Sequence, residues 1–278
     1  MMAIIKYILI MVLAFLPLTV CSLMAIEGYE NYNEENPEIR IEQNVPDDAQ
    51  ELFSIANDLY INGEFEKAAD TYEKIILSGY HLPELYYNLG NAYYRSNKIP
   101  HAILNYERAI LLAPADEDIK FNLELARMQT RDRIEELPGF FISNWWKSGR
   151  DILSAGQWAI ASVAAFISFL VFFSAFLISF SVIVKKFSFW SATFLFFLSV
   201  LSFSFGLDRV NYMKNHDTAI VFAPVVPVKS SPDINSADLF IIHEGTRVTV
   251  EDSISEWRAV RLSDGNKGWV RKDAIEMI

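Results

Sequence analysis

Groups capable of covalent or metal chemistry are few in this chain and far apart. Cys21 is the only cysteine, whereas an intramolecular disulfide, a structural zinc site or a CxxC redox pair each needs a further ligand or partner. His81, His101, His216 and His243 are too widely spaced for a local metal motif. A hydrolase needs a nucleophile and a base within reach of one another, and the sequence holds no GxSxG elbow, no HExxH helix and no mature-chain Cys paired with His. No catalytic residue, metal ligand or cofactor is assigned, and a non-enzymatic class is expected. The 278 residues carry 35 acids against 24 bases, a net charge of −11, which speaks against a nucleic-acid partner. They are 52% apolar, more than a soluble chain needs, so part of the chain is expected in lipid. Recognition chemistry remains, and Asn, Tyr and Trp carry it.

Those residues recur with a period. Adding 34 to Leu52, Ile55, Ala56, Asn57, Leu59, Tyr60, Phe65, Ala68 and Tyr72 lands on Tyr86, Leu89, Gly90, Asn91, Tyr93, Tyr94, Ile99, Ala102 and Tyr106, each identical or of the same physical type. Small residues recur where two antiparallel helices must approach closely, and large apolar ones on the seams between them. Pro114 follows as a helix stop. The run YYNLGNAYYRSNKIPHAILNYERAILLAP resembles the tetratricopeptide repeat, so helical repeats are expected over 49–82 and 83–116. Repeat one is less regular, with Ile75 where Ala109 stands and Tyr80 where Pro114 stands. A third register, in which Asn122 and Leu123 repeat Asn88 and Leu89, is expected to close the stack over 117–137 as a capping helix with a polar outer face.

The resemblance implies that the first helix of each repeat lines a concave groove. The positions facing it by that analogy are Phe53, Asn57, Tyr60, Tyr87, Asn91, Tyr94 and Arg95. Asn side chains grip an extended peptide backbone by paired donor and acceptor, and Tyr adds rigid contact area at low entropic cost. The same residue types also serve merely to pack and cap neighbouring helices. Both readings are open at this stage. The nearby acids Glu64, Glu66 and Asp70 read as a solvated face.

Residues 1–25 combine Lys6, an apolar stretch and small residues after it, the pattern of a secretory signal. Cleavage after Ser22 or Ala25, an uncleaved anchor, and lipidation at Cys21 are the alternatives. Residues 26–48 hold eight acids against Arg40 alone and lack apolar periodicity, as expected of a solvated acidic tether. Over 138–157 and into Trp158 at its edge, Trp145, Trp146 and Trp158 mix with Lys147 and Arg150, a composition that favours the headgroup layer. From Trp158 to Val184 no residue is charged, about 40 Å of helix, and Phe187–Leu207 supplies about 31 Å more. Two transmembrane helices, 158–184 and 187–207, are expected, joined by a turn at Lys185-Lys186. The positive-inside tendency puts that turn in the cytoplasm and both flanking regions in the periplasm. Neither span holds an ionisable residue, which disfavours transport. Ala161, Ala164, Ala165 and Ser168 form a small-residue patch, suited to close helix approach or simply tolerated in lipid.

Beyond the hairpin, TAIVFAP, RVTVED, WRAVRL and KGWVRKD read as short strands, with Asp264-Gly265 where a tight hairpin needs positive φ. Residues 217–278 resemble a bacterial SH3-type domain, most tellingly in the Gly-Trp-Val step and the Gly before TRVTV. Trp257 and Trp269 either shape a recognition groove there or fill the small barrel's core. His243 falls in a turn and is assigned no chemistry.

The order of signal, tetratricopeptide repeats, two-helix hairpin and SH3-type domain resembles the BatE type of the Bacteroides aerotolerance (Bat) family. That resemblance implies a multidomain inner-membrane protein working alongside other Bat proteins, several with von Willebrand factor A domains, in oxygen or oxidative-stress tolerance. It implies a scaffold that binds protein partners through groove and barrel, with a peptidoglycan-binding or envelope-sensing role as the alternative.

Overall fold

A computed structural model describes residues 47–134, 139–214 and 217–278. The expected signal, its Cys21, the tether up to residue 46 and His216 lie outside these described residues. The chain divides into two compact units. One runs from Trp145 to Lys214; the other combines the helices before it with the strands after it.

Five helices open the second unit: α1 (Asp47–Ile61), α2 (Phe65–Leu77), α3 (Pro83–Arg95), α4 (Ile99–Leu112) and α5 (Glu117–Arg127). Their ends repeat with the sequence. Gly63 and Asn97, 34 positions apart, both turn left-handed at φ +81° and +60°. Each is followed by a reversed hydrogen bond, Glu64 N–H to the Leu59 carbonyl at 2.9 Å and Lys98 N–H to the Tyr93 carbonyl at 2.9 Å. This pairing closes a helix in a Schellman turn and sends the chain back antiparallel. Pro83 and Pro100 occupy first-turn positions where a missing N–H costs nothing. Asp116 caps α5, accepting from the N–H groups of Asp118 and Ile119 at 2.9 and 3.1 Å.

The small periodic residues mark the closest approaches. Ala56, Ala68 and Ala102 are fully buried. At Gly90 an added Cβ would stand 2.7 Å from the Tyr106 ring, so only glycine lets that ring pack flat on α3.

The strands are β1 (Thr218–Val221), β2 (Val225–Lys229), β3 (Asp238–His243), β4 (Arg247–Ile254), β5 (Trp257–Arg261), β6 (Lys267–Arg271) and β7 (Ile275–Met277), with a short 3₁₀ turn at Lys272–Ala274. They form one antiparallel sheet in the order β3-β2-β6-β5-β4-β1-β7, an SH3-like small barrel. Its core is Ala219, Val221, Val226, Val228, Ile242, Val248, Val260, Leu262, Val270 and Ala274. Gly265 turns the β5–β6 connection at φ +90° as expected of Asp264-Gly265. Gly268 is demanded by packing: a Cβ there would lie 2.4 Å from a Val228 methyl and 2.8 Å from the Lys229 carbonyl oxygen.

Sequence reading treats repeats and barrel as separate modules, but in the structure they share a core. Ile220 belongs to the helical core cluster, and Phe222 and Ile278 pack against it. Phe222 meets the His101 ring edge-on at 4.8 Å. The barrel sits on α4, the second helix of repeat two.

In the other unit, α7 (Ala155–Ile178) and α8 (Val182–Lys214) pair along their length, following the latter part of α6 (Phe141–Arg150). Both are long and apolar enough to cross a membrane. Their seam holds Ser162 and Ser199, each hydroxyl donating to the other's carbonyl at 3.3 and 3.0 Å, and Phe169 against Phe196. Of the small-residue patch, Ala165 is buried in this unit and Ala164 is exposed.

The turn differs from expectation. The helices break at Ser179–Ser181, where the Ser179 hydroxyl accepts from the Ser181 N–H at 3.2 Å, and Lys185 and Lys186 lie in the opening turns of α8. Serine hydroxyls that bond their own backbone end a helix, whereas a lysine pair marks only where the chain meets water. The uncharged stretches 158–184 and 187–207 are thus not the helices themselves. At the other end of the pair Arg150, Asp151, Asp208 and Arg209 form an ion cluster, with Arg209 to Asp151 at 2.9 Å and Arg150 to Asp208 at 3.6 Å. The Trp146 indole N–H donates to Asp208 and that of Trp158 to the Arg150 carbonyl.

Candidate protein-binding groove

The two asparagines at the heart of the repeats do the same thing twice. Asn57 Oδ1 accepts from the Tyr72 hydroxyl at 2.5 Å and the Asn88 amide at 3.4 Å. Asn91 Oδ1 accepts from the Tyr106 hydroxyl at 2.7 Å and the Asn122 amide at 3.0 Å. Every member of the second set is 34 residues beyond its counterpart, so each Asn ties its own repeat's second helix to the next repeat's first. Burial pushes the Tyr72 phenol up to about 12 and the Tyr106 phenol further up, so both stay neutral donors.

The ladder alters what these side chains can offer a ligand. The expected paired donor and acceptor is half used, because each Oδ1 already takes two donors. The amide N–H₂ is the part left for a partner.

A cavity of about 150 Å³ opens where three first-position helices meet, lined by Tyr60 from α1, Asn91, Tyr94 and Arg95 from α3, Tyr106 from α4, and Asn122 and Leu125 from α5. Four of the seven groove residues named from sequence come together here. Arg95 is the one charged lining residue, its guanidinium 4.7 Å from the Phe65 ring centre. The Tyr94 hydroxyl accepts from the Gln129 amide at 2.5 Å. The other three stand outside the lining: Phe53 packs on the Tyr72 ring at 5.8 Å, Asn57 serves the first ladder, and the Tyr87 hydroxyl accepts from Asn122 at 2.9 Å. Tyr106, Asn122 and Leu125 were missed, although Asn122 was already visible as the repeat of Asn88.

The capping helix is shorter than 117–137, ending at Arg127, and its exposed side chains include Glu117, Asp118, Lys120 and Glu124. Phe121 and Met128 are each 64% exposed.

On the barrel, strict alternation decides the two tryptophans. Val260 and Val270 point into the core, so Trp257 and Trp269, at odd offsets from them, take the opposite face, where Trp269 lies across from Ala259 and Trp257 across from Arg271. The core-filling alternative does not hold, and both rings are half-buried on the outer face.

The groove stays clear of the barrel. Asp132, just after α5, accepts from the His243 N–H at 2.6 Å and the Thr246 hydroxyl at 2.8 Å, and meets His243 Nδ1 at 2.7 Å. Burial pushes the Asp132 carboxyl up, but these donors outweigh it and hold it below the usual carboxylate value. Buried Glu107 accepts from Arg127 at 2.5 Å with Arg247 at 3.6 Å, and Arg108 reaches Glu276 and the Met277 carbonyl at 3.3 and 3.1 Å. A Cβ on Gly245 would strike Thr130 at 2.6 Å. His243, assigned no task from sequence, is thus a docking residue.

Among known proteins, the family model described as Tetratricopeptide repeat matches residues 83–116. No curated protein matches the chain. A similar solved structure is the Yersinia enterocolitica type III secretion chaperone SycD in complex with a peptide of the translocator YopD, at 14% identity over 57% of this chain and 98% of that one, with a TM-score of 0.30. Period, ladder and family match agree on one statement: this is a protein containing tetratricopeptide repeats.

Proposed function

We propose that the chain is a membrane-anchored, non-enzymatic scaffold that holds protein partners in its tetratricopeptide groove. The observation that carries this is the cavity between α1, α3 and α5, to which α4, the helix that the barrel occupies, lends only Tyr106. A rigid platform with one face used for docking leaves the other face for a partner. The reading assigns 1–25 as signal, 26–48 as tether, 49–137 as repeats, 138–157 as an interfacial segment, 158–207 as a two-span hairpin in the inner membrane, and 217–278 as an SH3-type domain facing the periplasm with the repeats. Tethering at the bilayer raises effective concentration toward membrane-bound partners. The module order favours the BatE type, with von Willebrand factor A-containing Bat proteins as partners in aerotolerance.

Photo-crosslinking in native membranes from benzoylphenylalanine placed at Tyr94 tests the groove. A discrete protein adduct at Tyr94, absent when the probe sits at exposed Lys120, is expected. Equal adducts at both positions, or none at Tyr94, reject it.

A second reading, peptidoglycan binding, is favoured by the outer-face position of Trp257 and Trp269. Retention of the detergent-solubilised full chain on purified wall material, lost in Trp269→Ala, would support that role over a purely protein-directed one.

A further inference from the structure

The groove is graded along its length. Adding 34 to the groove positions Tyr87, Asn91 and Tyr94 of α3 gives Phe121 and Leu125 on α5 and Met128 at its C-cap, which keeps helical dihedrals and so continues the same phase. The third rank therefore replaces tyrosine, asparagine and tyrosine with three apolar side chains. Leu125 lines the cavity. Phe121, one turn before it, and Met128, one turn after it at the helix's C-cap, are exposed large apolar residues. Isolated exposed apolar residues need no explanation, but three on one stripe, continuous with a cavity, mark a contact surface. Beside this stripe stand the amide of Asn91 and the guanidinium of Arg95, the only charge lining the cavity.

We infer that the groove takes a peptide segment that pairs one large apolar side chain, seated on Phe121, Leu125 and Met128, with a neighbouring carboxylate directed at Arg95. This rests on the groove reading above and names the chemistry of its occupant. A second copy of the chain is the poorer occupant, since each brings a net charge of −11.

The test uses the detergent-solubilised full chain on an array of synthetic dodecapeptides. Each carries one Leu and one Glu at varied spacing in a Gly-Ser background, with Leu→Ser and Glu→Gln counterparts. Peptides with both residues at one preferred spacing should be held about tenfold more strongly than either counterpart. Phe121→Ser with Met128→Ser should abolish the preference for Leu while leaving that for Glu. Arg95→Gln should do the reverse. Both sets alter exposed side chains, and an unchanged melting curve checks that the fold survives. Unaltered Leu preference in the double variant overturns the inference, as does absence of any spacing preference. So does concentration-dependent dimerisation lost on Phe121→Ser. A Tyr94 crosslink that persists through these failures leaves the groove standing; loss of the crosslink removes the groove itself.

Discussion

Asp132 and His243, 111 residues apart, meet through both a main-chain N–H and a ring nitrogen, at 2.6 and 2.7 Å. One carboxylate thereby stitches the segment after the helical stack to the last residue of β3, and with Thr246 in the turn that follows it satisfies three polar groups at once. Asp132→Ala would leave a half-buried N–H and hydroxyl without their acceptor. A loss of about 1–3 kcal/mol is expected, read by chemical denaturation of the full chain in detergent as separation of one transition into two. A single transition at the wild-type midpoint would show that the shared apolar core alone couples the modules.

The same boundary should respond to acid in two stages. Burial holds the His101 imidazole below its ordinary 6.5, so the unfolded chain binds that proton first and stability falls as pH drops below about 6.5. Asp132 is held below its ordinary 3.8; its contribution is present above that value and lost as pH falls through the lower, folded value. Melting temperatures from pH 8 to pH 3 should decline in both windows. Only the upper decline should vanish in His101→Phe, a change that keeps a ring between Tyr93 and Phe222.

Asn91 can be separated into its two jobs. Asn91→Ala removes the acceptor of Tyr106 and Asn122, with an expected cost of about 1–3 kcal/mol. Asn91→Asp keeps acceptor oxygens for both while exchanging the amide donor for a negative charge beside Arg95, so stability should stay nearer to wild type than in Asn91→Ala while crosslinking from Tyr94 drops. Equal crosslinking in a folded Asn91→Asp protein would make the asparagine purely structural.

Gly268→Ala should be costly out of proportion to one methyl. Its Cβ would meet the Lys229 carbonyl, which is strand backbone and does not swing aside as a side chain would. Overpacking of this kind costs about 1–3 kcal/mol. Loss of near-ultraviolet signal from Trp269, with the helical signal retained, is the expected readout; normal melting would mean that β2 and β6 separate more easily than their packing implies.

Topology is open to single-cysteine labelling, since Cys21 is the only native thiol. With Cys21 replaced by Ser, a cysteine at Phe180 in the hairpin turn should resist a membrane-impermeant maleimide from the periplasm, and one at Ser263 on the barrel should react. Reaction of both from the same side would remove the membrane hairpin.

Much of this molecule is written locally. A 34-residue period fixes which residues face inward, because helix phase and close approach act on neighbours in sequence, and so Ala56, Gly90, Asn57 and Asn91 were readable before any coordinates. Alternation within a strand similarly governs Trp257 and Trp269, though it needed the buried partners Val260 and Val270 to say which face was inside. Tertiary structure alone decided that the asparagine acceptors are already taken, that the hairpin turns at Ser179–Ser181 in place of the lysines, and that the barrel rests on α4. Those outcomes depend on groups brought together across long stretches of chain, and a lone Asp132 or His243 looks, in sequence, like any polar residue in a loop.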